Sequence, residues 1–205
     1  MVSRKQREME FRRKTIVEAA REVFSEKGYG GTTIDDVAEK SEFAKATLYK
    51  VFKTKDELYR SVVEDVFMKI NEIAEQAMQE NRPIREKFGL FVHRLITHFS
   101  EHADFLRFLM REVARVNGEG WKGSPHAMIH DQLNEILARE LERGMKSKEV
   151  RKIDALRAAQ VFNHMVYAYH MNNLFFEHDE KMKKEAVEFL VSVFFDGIGI
   201  GKEIT

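Results

Sequence analysis

The stretch Thr32–Phe52 reads TTIDDVAEKSEFAKATLYKVF and predicts two short helices separated by a tight turn. Its first half carries apolar residues such as Ile34 and Val37 at helical spacing. Thr33 precedes them, where a hydroxyl caps the start of a helix, and Asp35 follows in the first turn, where a carboxylate suits the helix dipole. The first half is therefore predicted to be a capped helix of about two turns.

The second half of the stretch, residues 44–51, is predicted to be a helix that buries Leu48 and Phe52. Its other side is small, hydroxylated and basic and lacks an acid, a combination suited to the major groove of DNA. The start of the next helix could also present its amides to a phosphate. The predicted DNA contacts are Thr32, Thr33, Lys45, Ala46, Thr47, Tyr49, Lys50 and Lys55. The pattern is that of a helix-turn-helix whose second helix reads the DNA.

With its flanks, this stretch resembles the TetR family of bacterial transcription regulators. The matching residues are Ile16, Ala19, Ala20, Phe24, Gly28, Tyr29, Thr32, Thr33, Ile34, Val37, Ala38, Lys45, Ala46, Thr47, Leu48, Tyr49, Phe52, Lys55, Asp56, Glu57 and Leu58. The chain departs from the family at Glu42, where glycine is usual, and at Ala44, where serine is usual. The resemblance implies an all-α fold, a dimer formed by the last two long helices, and a second domain that senses hydrophobic or amphipathic inducers.

Composition narrows the class of protein. A chain of 205 residues with 43% hydrophobic side chains can bury a substantial core, and only 2 prolines favour long uninterrupted helices. The absence of cysteine excludes disulfides, thiol catalysis and cysteine-bound metals. No segment approaches the roughly 20 apolar residues that a membrane span needs, and the start of the chain is polar. We therefore expect a soluble, cytoplasmic protein without membrane association.

Charge is distributed unevenly although the chain is neutral overall. Residues 1–60 carry 14 basic and 11 acidic side chains, so the excess of positive charge falls on the segment with the helix-turn-helix. Residues 1–11 are expected to form a frayed, charged arm that is either a solvated tail or a phosphate contact. The excess is too small to indicate DNA binding by itself.

The remaining pattern predicts a two-domain, all-α chain of about nine helices. Residues 1–54 are assigned to a three-helix DNA-binding module and residues 55–205 to a larger helical domain for ligand sensing and dimerisation. Thr54 and Glu57 form a capping-box pattern at the start of a helix that extends to about Glu80. At about 1.5 Å per residue this helix is nearly 40 Å long.

The second domain is rich in large, soft side chains interrupted by polar ones. Core packing explains each of these residues taken singly, but a mostly apolar set with a few polar groups is also typical of a small-ligand pocket. The predicted pocket residues are Phe88, Phe91, Val92, Leu95, Phe105, Phe108, Leu109, Glu112, Trp121, Met128, Phe162, Met165 and Tyr169.

The penultimate helix is apolar around most of its circumference, so it needs a covering on two sides. A second copy of the chain is the simplest partner, in agreement with the dimer that the family resemblance implies. The predicted interface residues are Tyr167, His170, Leu174, Val187, Leu190, Val191 and Phe194.

Other chemistry finds little support in the sequence. The pairs His98/His102 and His126/His130 have the i,i+4 spacing that can bind a metal, but neither has an obvious third ligand, so packing or surface histidines are expected instead. No nucleophile setting and no phosphate-binding glycine loop are recognisable. We expect no metal, no cofactor and no catalytic site.

These observations predict a homodimeric, ligand-responsive DNA-binding regulator that binds a near-palindromic operator. Repression, and release by a small hydrophobic or amphipathic inducer, follow from the resemblance. The alternative is a helical ligand-binding or scaffold protein whose head no longer reads DNA, which the residues at positions 42 and 44 leave open. A helical enzyme is disfavoured because no catalytic constellation is present.

Overall fold

Helices account for all the regular structure that the computed structural model describes, which covers residues 3–108, 125–173 and 179–198. The predicted all-α fold is confirmed. The helices are α1 (Arg4–Gly31), α2 (Ile34–Ser41), α3 (Lys45–Val51), α4 (Lys55–Gln79), α5 (Ile84–Glu101), α6 (residues 103–108 as far as described), α7 (Pro125–Lys146), α8 (Ala155–Asn173) and α9 (Glu180–Ile198). None of these described helices is long and apolar enough to cross a membrane.

The described residues form two compact units. One contains residues 3–67, 104–108 and 125–126, and the other contains residues 68–103, 127–173 and 179–198. Helix α4 contributes its first half to one unit and its second half to the other. The division at residues 54 and 55 that the sequence suggests stays a prediction.

The first helix begins earlier than expected. The prediction of a frayed arm over residues 1–11 is wrong, because α1 starts at Arg4 with Ser3 as its N-cap. The Ser3 hydroxyl accepts a hydrogen bond from the Gln6 amide at 3.2 Å, and the Gln6 side chain accepts one from the Ser3 amide at 2.8 Å. This reciprocal capping box satisfies two amides that would otherwise have only solvent as a partner.

The end of α1 is set by Gly28. Its φ of 71° and ψ of 169° break the helix before a last turn, as expected for a glycine in a conformation that other residues avoid. The Thr32 hydroxyl donates to the Gly28 carbonyl at 2.7 Å, and Lys55 donates to the carbonyl of Tyr29 at 2.8 Å. The chain that leaves α1 is therefore held by both Thr32 and the start of α4.

The turn between α2 and α3 keeps a left-handed residue even though it lacks glycine. Glu42 has φ 58° and ψ 23°, and its amide donates to the carbonyls of Ala38 and Glu39. A side chain in this region costs roughly 1–2 kcal/mol, a cost that glycine avoids. Ala44, the N-cap of α3, makes no side-chain capping bond. The turn therefore has the backbone geometry of a glycine turn, and α3 starts without a cap.

A continuous core joins α1, α2, α3, the first half of α4 and the described part of α6 in the first unit. Phe24 stacks on Phe108 at a ring-centroid distance of 6.3 Å and meets the Tyr59 ring edge-on at 5.3 Å. The almost fully buried residues of this core are Ile16, Ala20, Phe24, Val37, Leu48, Phe52, Leu58, Val62, Phe105 and Phe108. Thr54 caps α4 by accepting from the Glu57 amide at 3.1 Å, as predicted.

In the second unit, α5 lies between α7, α8 and α9. The Glu149 carboxylate accepts from the first amide of α5, that of Ile84, at 3.0 Å, and this bond is the main cause that lowers the pKa of Glu149. Lys87 and Glu140 form a largely buried ion pair at 2.7 Å. Phe88 and Phe162 meet edge-on at 4.9 Å within an aromatic core. Aromatic contacts and the buried Lys87–Glu140 ion pair therefore hold α5 against its neighbouring helices in this unit.

Replacing Glu42 by glycine is expected to raise the free energy of unfolding by about 0.5–1 kcal/mol. The substitution removes the left-handed strain, and the greater freedom of glycine in the unfolded chain cancels part of the gain. The matched control is Glu39→Gly, an exposed position in the last turn of α2, which should lower the free energy of unfolding by about 0.5–1 kcal/mol. Urea titration followed by circular dichroism measures both. Equal destabilisation by the two substitutions would show that Glu42 is not strained.

Candidate functional site

Helix α3 has one buried side and one exposed side. Leu48 is 1% exposed and Phe52, just past the helix end, is also 1% exposed, so these two side chains fix the helix on α1 and α2. The exposed side chains are Lys45, Ala46, Tyr49 and Lys50, with Thr47 half-buried beside them. The structure thus brings all five predicted α3 contacts together on or beside one surface. That surface is small, basic and hydroxyl-bearing, and it projects from a rigid support.

Lys45 already has an acidic partner in the free protein. Its ammonium group donates to a carboxylate oxygen of Asp35 at 2.7 Å, and both side chains are about half exposed or more. This hydrogen bond is the main cause that raises the pKa of Lys45. The sequence places Asp35 in the first turn of α2 but does not predict this pairing, because the nine intervening residues include a turn whose geometry the sequence leaves open.

Thr33 occupies the exposed edge of the same surface, but its hydroxyl is engaged. It accepts from the Asp36 amide at 3.2 Å and donates to the Asp36 carboxylate at 2.7 Å, which confirms the predicted cap. Lys27 donates to Asp36 at 2.6 Å, and this bond together with those from Thr33 holds the pKa of that carboxyl well below its usual range. Thr33 therefore serves first to start α2.

Two of the predicted contacts have internal roles. Thr32 is 2% exposed, so its side chain does not lie on the surface where sequence analysis placed it. Lys55 donates to the carbonyls of Tyr29 and Thr32, at 2.8 and 3.0 Å, and its ammonium lies 4.4 Å from the centre of the Tyr29 ring. The Tyr29 phenol donates to Asp56, which raises the pKa of that phenol to about 12. Together these bonds join the end of α1 to the start of α4.

The predicted pocket residues divide between the two units. Phe105 and Phe108 belong to the first unit, where Phe108 stacks on Phe24. The second unit contains the buried residues Phe88, Phe91, Val92, Leu95 and Phe162 and the half-buried residues Met165 and Tyr169. Leu109, Glu112, Trp121 and the side chain of Met128 lie outside the described residues. Sequence periodicity could not make this division, because it identifies apolar faces without identifying what covers them.

The interior of the second unit also holds a polar pair. The Asn163 side-chain amide donates to the Asn134 side-chain oxygen at 3.0 Å, and each residue is 5% exposed. The sequence does not predict this pair, because Asn134 lies 29 residues away from Asn163 on another helix, α7. Polar groups in an aromatic interior are the kind that orient a ligand in an apolar site.

The predicted dimer residues lie mainly inside the chain. Leu190, Val191 and Phe194 are at most 6% exposed, and His170 is 7% exposed. Tyr167 and Val187 are half-buried, and Leu174 lies outside the described residues. The exposed large apolar residues of α8 and α9 are instead Leu156, Val161, Met182, Phe189 and Val193. The apolar face open to a partner is therefore rotated from the predicted one.

A shallow groove runs along the surface between α5 and α9. Its apolar residues are Gly89, Val187, Phe189 and Val191, and the charged residues Arg85, Glu86, Glu185 and Glu188 border it. The groove shares Phe189 with the exposed apolar face. It is open to solvent, so it differs from the enclosed pocket that the sequence predicts.

Comparisons with known proteins agree with this geometry. Residues 16–62, which span most of α1, all of α2 and α3 and the start of α4, match the family model described as bacterial regulatory proteins, tetR family. The biofilm operon icaADBC negative transcriptional regulator IcaR of Staphylococcus aureus is 31% identical over 127 residues. That match covers 62% of this chain and 65% of IcaR, slightly less than two thirds of its length.

Solved structures share the fold along almost the entire chain. A TetR-family transcriptional regulator from Mesorhizobium loti has a TM-score of 0.78 at 20% identity, covering 94% of this chain and 98% of that one. FadR from Bacillus subtilis, solved in complex with stearoyl-CoA, has a TM-score of 0.70 at 22% identity. The match covers 90% of this chain and 98% of FadR. Residues 16–62 therefore match the TetR family of bacterial regulatory proteins, and the chain shares the fold of solved TetR-family transcriptional regulators along 90% or more of its length.

Proposed function

We propose that this regulator represses transcription as a homodimer that binds a near-palindromic operator through α3 and is released by a small hydrophobic or amphipathic ligand. The observation that carries the proposal is the exposed face of α3, held on a rigid support by buried Leu48 and Phe52. A short helix fixed in this way can enter the major groove without rearranging its own module.

Each exposed residue of this face has a chemical role suited to DNA. Lys45 and Lys50 can contact phosphates or the O6 and N7 acceptors of guanine. Ala46 is small enough to permit close approach and can contact a thymine methyl group. Tyr49, which is 48% exposed, offers both an apolar ring and a hydroxyl. Thr47 can donate a hydrogen bond to a phosphate at the edge of the face.

Asp35 competes with DNA phosphates for the ammonium group of Lys45. A phosphate that takes the place of Asp35 forms a charge-assisted bond with Lys45. Because the existing pair is exposed, little stability is lost when it opens. The Asp35 carboxylate nevertheless repels any phosphate that approaches while Asp35 is still paired with Lys45. We therefore assign Asp35 the role of a counter-ion that lowers non-specific affinity.

The geometry of the turn between α2 and α3 argues against the alternative of a scaffold protein whose helix-turn-helix no longer binds DNA. Glu42 keeps the left-handed backbone that glycine would adopt, so the axes of α2 and α3 are set as a glycine turn would set them. Ala44 removes a capping bond, but the buried side chains of α3 replace that stabilisation. The two departures from the family pattern therefore cost stability without changing the face that α3 presents.

Two reading heads require two copies of the chain. Val161 on α8 and Phe189 and Val193 on α9 are exposed apolar side chains, which water solvates poorly. An isologous contact through these side chains would give a two-fold dimer. Operator half-sites would then lie about 34–36 Å apart, one turn of DNA between centres.

Ligand response is assigned to the second unit. Its aromatic interior and the buried Asn134–Asn163 pair provide the apolar and polar groups that an amphipathic ligand needs. FadR, which shares the fold, was solved with stearoyl-CoA, so a long-chain acyl compound is the first ligand to test. Because α4 runs through both units, a ligand that favours one setting of α4 would shift the population of DNA-competent heads. A broad acyl screen that leaves operator affinity unchanged would contradict this coupling.

Fluorescence anisotropy on DNA from upstream of the protein's own gene tests the proposal as a whole. We expect tight binding with a clear preference over a scrambled duplex of equal length, and a salt dependence that indicates several phosphate contacts. Titrations at low and moderate salt separate sequence-specific from non-specific binding, because the affinity of non-specific binding falls most steeply as the salt concentration rises. Equal, weak binding to tiled upstream duplexes and to the scrambled duplex would contradict operator recognition.

Substitutions at Lys45 and Asp35 are expected to act in opposite directions. Lys45→Ala should weaken operator binding on the order of tenfold or more if the side chain reads a base. Asp35→Asn should strengthen binding roughly two- to fivefold at low salt and reduce the preference over the scrambled duplex, because a repulsive charge is removed. Lys69→Ala is the control, since Lys69 on α4 forms a similarly exposed ion pair with Glu72 and belongs to the second unit. Weaker binding by Asp35→Asn would show that Asp35 positions Lys45 instead of restraining it.

A charge placed on the exposed apolar face should dissociate the dimer. Phe189→Asp combined with Val193→Asp is expected to raise the dimer dissociation constant at least tenfold, because both carboxylates would lose water in the interface. Sedimentation velocity measures the shift. Met68→Asp is the control, since Met68 on α4 is 57% exposed and does not belong to this face. If the double variant sediments as the wild-type dimer does, the dimer interface does not include Phe189 and Val193.

A further inference from the structure

Three potential metal ligands converge at the C-terminal end of α5. One ligand atom from each of His98, Glu101 and His102 lies within 4.8 Å of the other two. The two imidazole rings are 4.7 Å apart between centroids and nearly perpendicular, at 85°. His98 is 8% exposed, His102 is half-buried and Glu101 is exposed. The set therefore combines a ring fixed by packing with a ligand that faces solvent.

The backbone explains how consecutive residues come to share one site. Residues at i, i+3 and i+4 lie on one face of a helix, so Glu101 and His102 both lie beside His98. Helix α5 ends at Glu101, and His102 is its C-cap with φ −117° and ψ 21°. The three ligands therefore span the last turn of the helix. The sequence spacing identifies the His98/His102 pair, and Glu101 completes the set.

We propose that His98, Glu101 and His102 bind a late first-row divalent metal ion such as Zn²⁺, Co²⁺ or Ni²⁺. Two imidazoles and one carboxylate suit these ions, whereas Mg²⁺ and Ca²⁺ prefer oxygen ligands throughout. Three protein ligands leave a fourth position for water or for a donor from a bound molecule. The inference does not depend on DNA binding or on the proposed acyl ligand.

The distances agree with a site that closes around its ion. Bonds of about 2.0–2.1 Å in a tetrahedron place neighbouring ligand atoms roughly 3.3 Å apart. The ligand atoms therefore need to approach one another by at most about 1.5 Å, which side-chain rotation of Glu101 and His102 can supply. His98 stays in place because it is packed near Phe99, whose ring centroid is 6.0 Å away. One fixed ligand and two adjustable ones form a workable site.

A bound ion would act first on the end of α5. His102 follows the last helical residue, and the chain passes from the second unit to the first between residues 103 and 104. Coordination by one ligand on each side of the last turn would hold that turn against fraying. We therefore expect metal binding to stabilise the folded chain.

Metal titration of the full-length, untagged protein after treatment with a chelator tests the site. Isothermal titration with Zn²⁺ and visible absorption with Co²⁺ should both give one ion per chain, and the Co²⁺ bands should have the intensity of a low-coordinate site. The apparent melting temperature should rise with Zn²⁺ concentration. No binding beyond that of a buffer blank, or binding without Co²⁺ bands, would overturn the proposal.

Conservative variants locate the ion. His102→Gln and Glu101→Gln should each weaken binding about tenfold or more and abolish the Co²⁺ bands, while their melting temperatures without metal stay close to wild type. His93→Gln is the matched control, because His93 is exposed on the same helix and outside the set. It should bind as the wild type does. Equal affinity in the wild type and the His102 and Glu101 variants would overturn the assignment even if an ion binds elsewhere.

Discussion

The seven residues of α3 cannot maintain a helix by themselves, because a helix this short forms too few hydrogen bonds to offset the cost of its first turn. Ala44 adds no capping bond, so the stability of α3 must come from packing. Leu48 and Phe52 supply it by entering the core that α1, α2 and α4 share. The first unit is thus a support for a helix that would be unfolded in isolation. Any change that loosens this core acts on the DNA-reading face as well.

Electrostatics around α3 follow a consistent pattern. Two basic side chains pair with carboxylates of α2, Lys45 with Asp35 and Lys27 with Asp36. Such exposed pairs add little stability and weaken further in salt. Their value lies in fixing the orientation of a charge while keeping it exchangeable. Asp36 differs from Asp35, because it also accepts from the Thr33 amide and hydroxyl, so its exchange for a phosphate would uncap α2.

Helix caps are predictable from the sequence, whereas the burial of a side chain by another part of the fold is not. The Thr33 and Thr54 caps are predictable because each depends on residues within one helical turn. The burial of Thr32 is not predictable in this way, because its hydroxyl turns back to the Val23 and Gly28 carbonyls of α1. The start of α1 was missed for another reason. A high density of charge suggests a solvated arm, whereas Ser3 and Gln6 cap a helix here and charged residues such as Arg and Glu are good helix formers.

The apolar face of α9 shows most clearly why the partner-facing residues could not be predicted. Helix α9 carries apolar residues on more than half of its circumference, and periodicity alone cannot decide which part faces the protein's own core. The packing of α9 on α5 decides it, with Val187 and Val191 lying beside Gly89 of α5. In this arrangement Leu190 and Phe194 are buried and Phe189 and Val193 are exposed. The proposed dimer surface therefore depends on how α5 packs, since the part of α9 that α5 does not cover is the part open to a second copy of the chain.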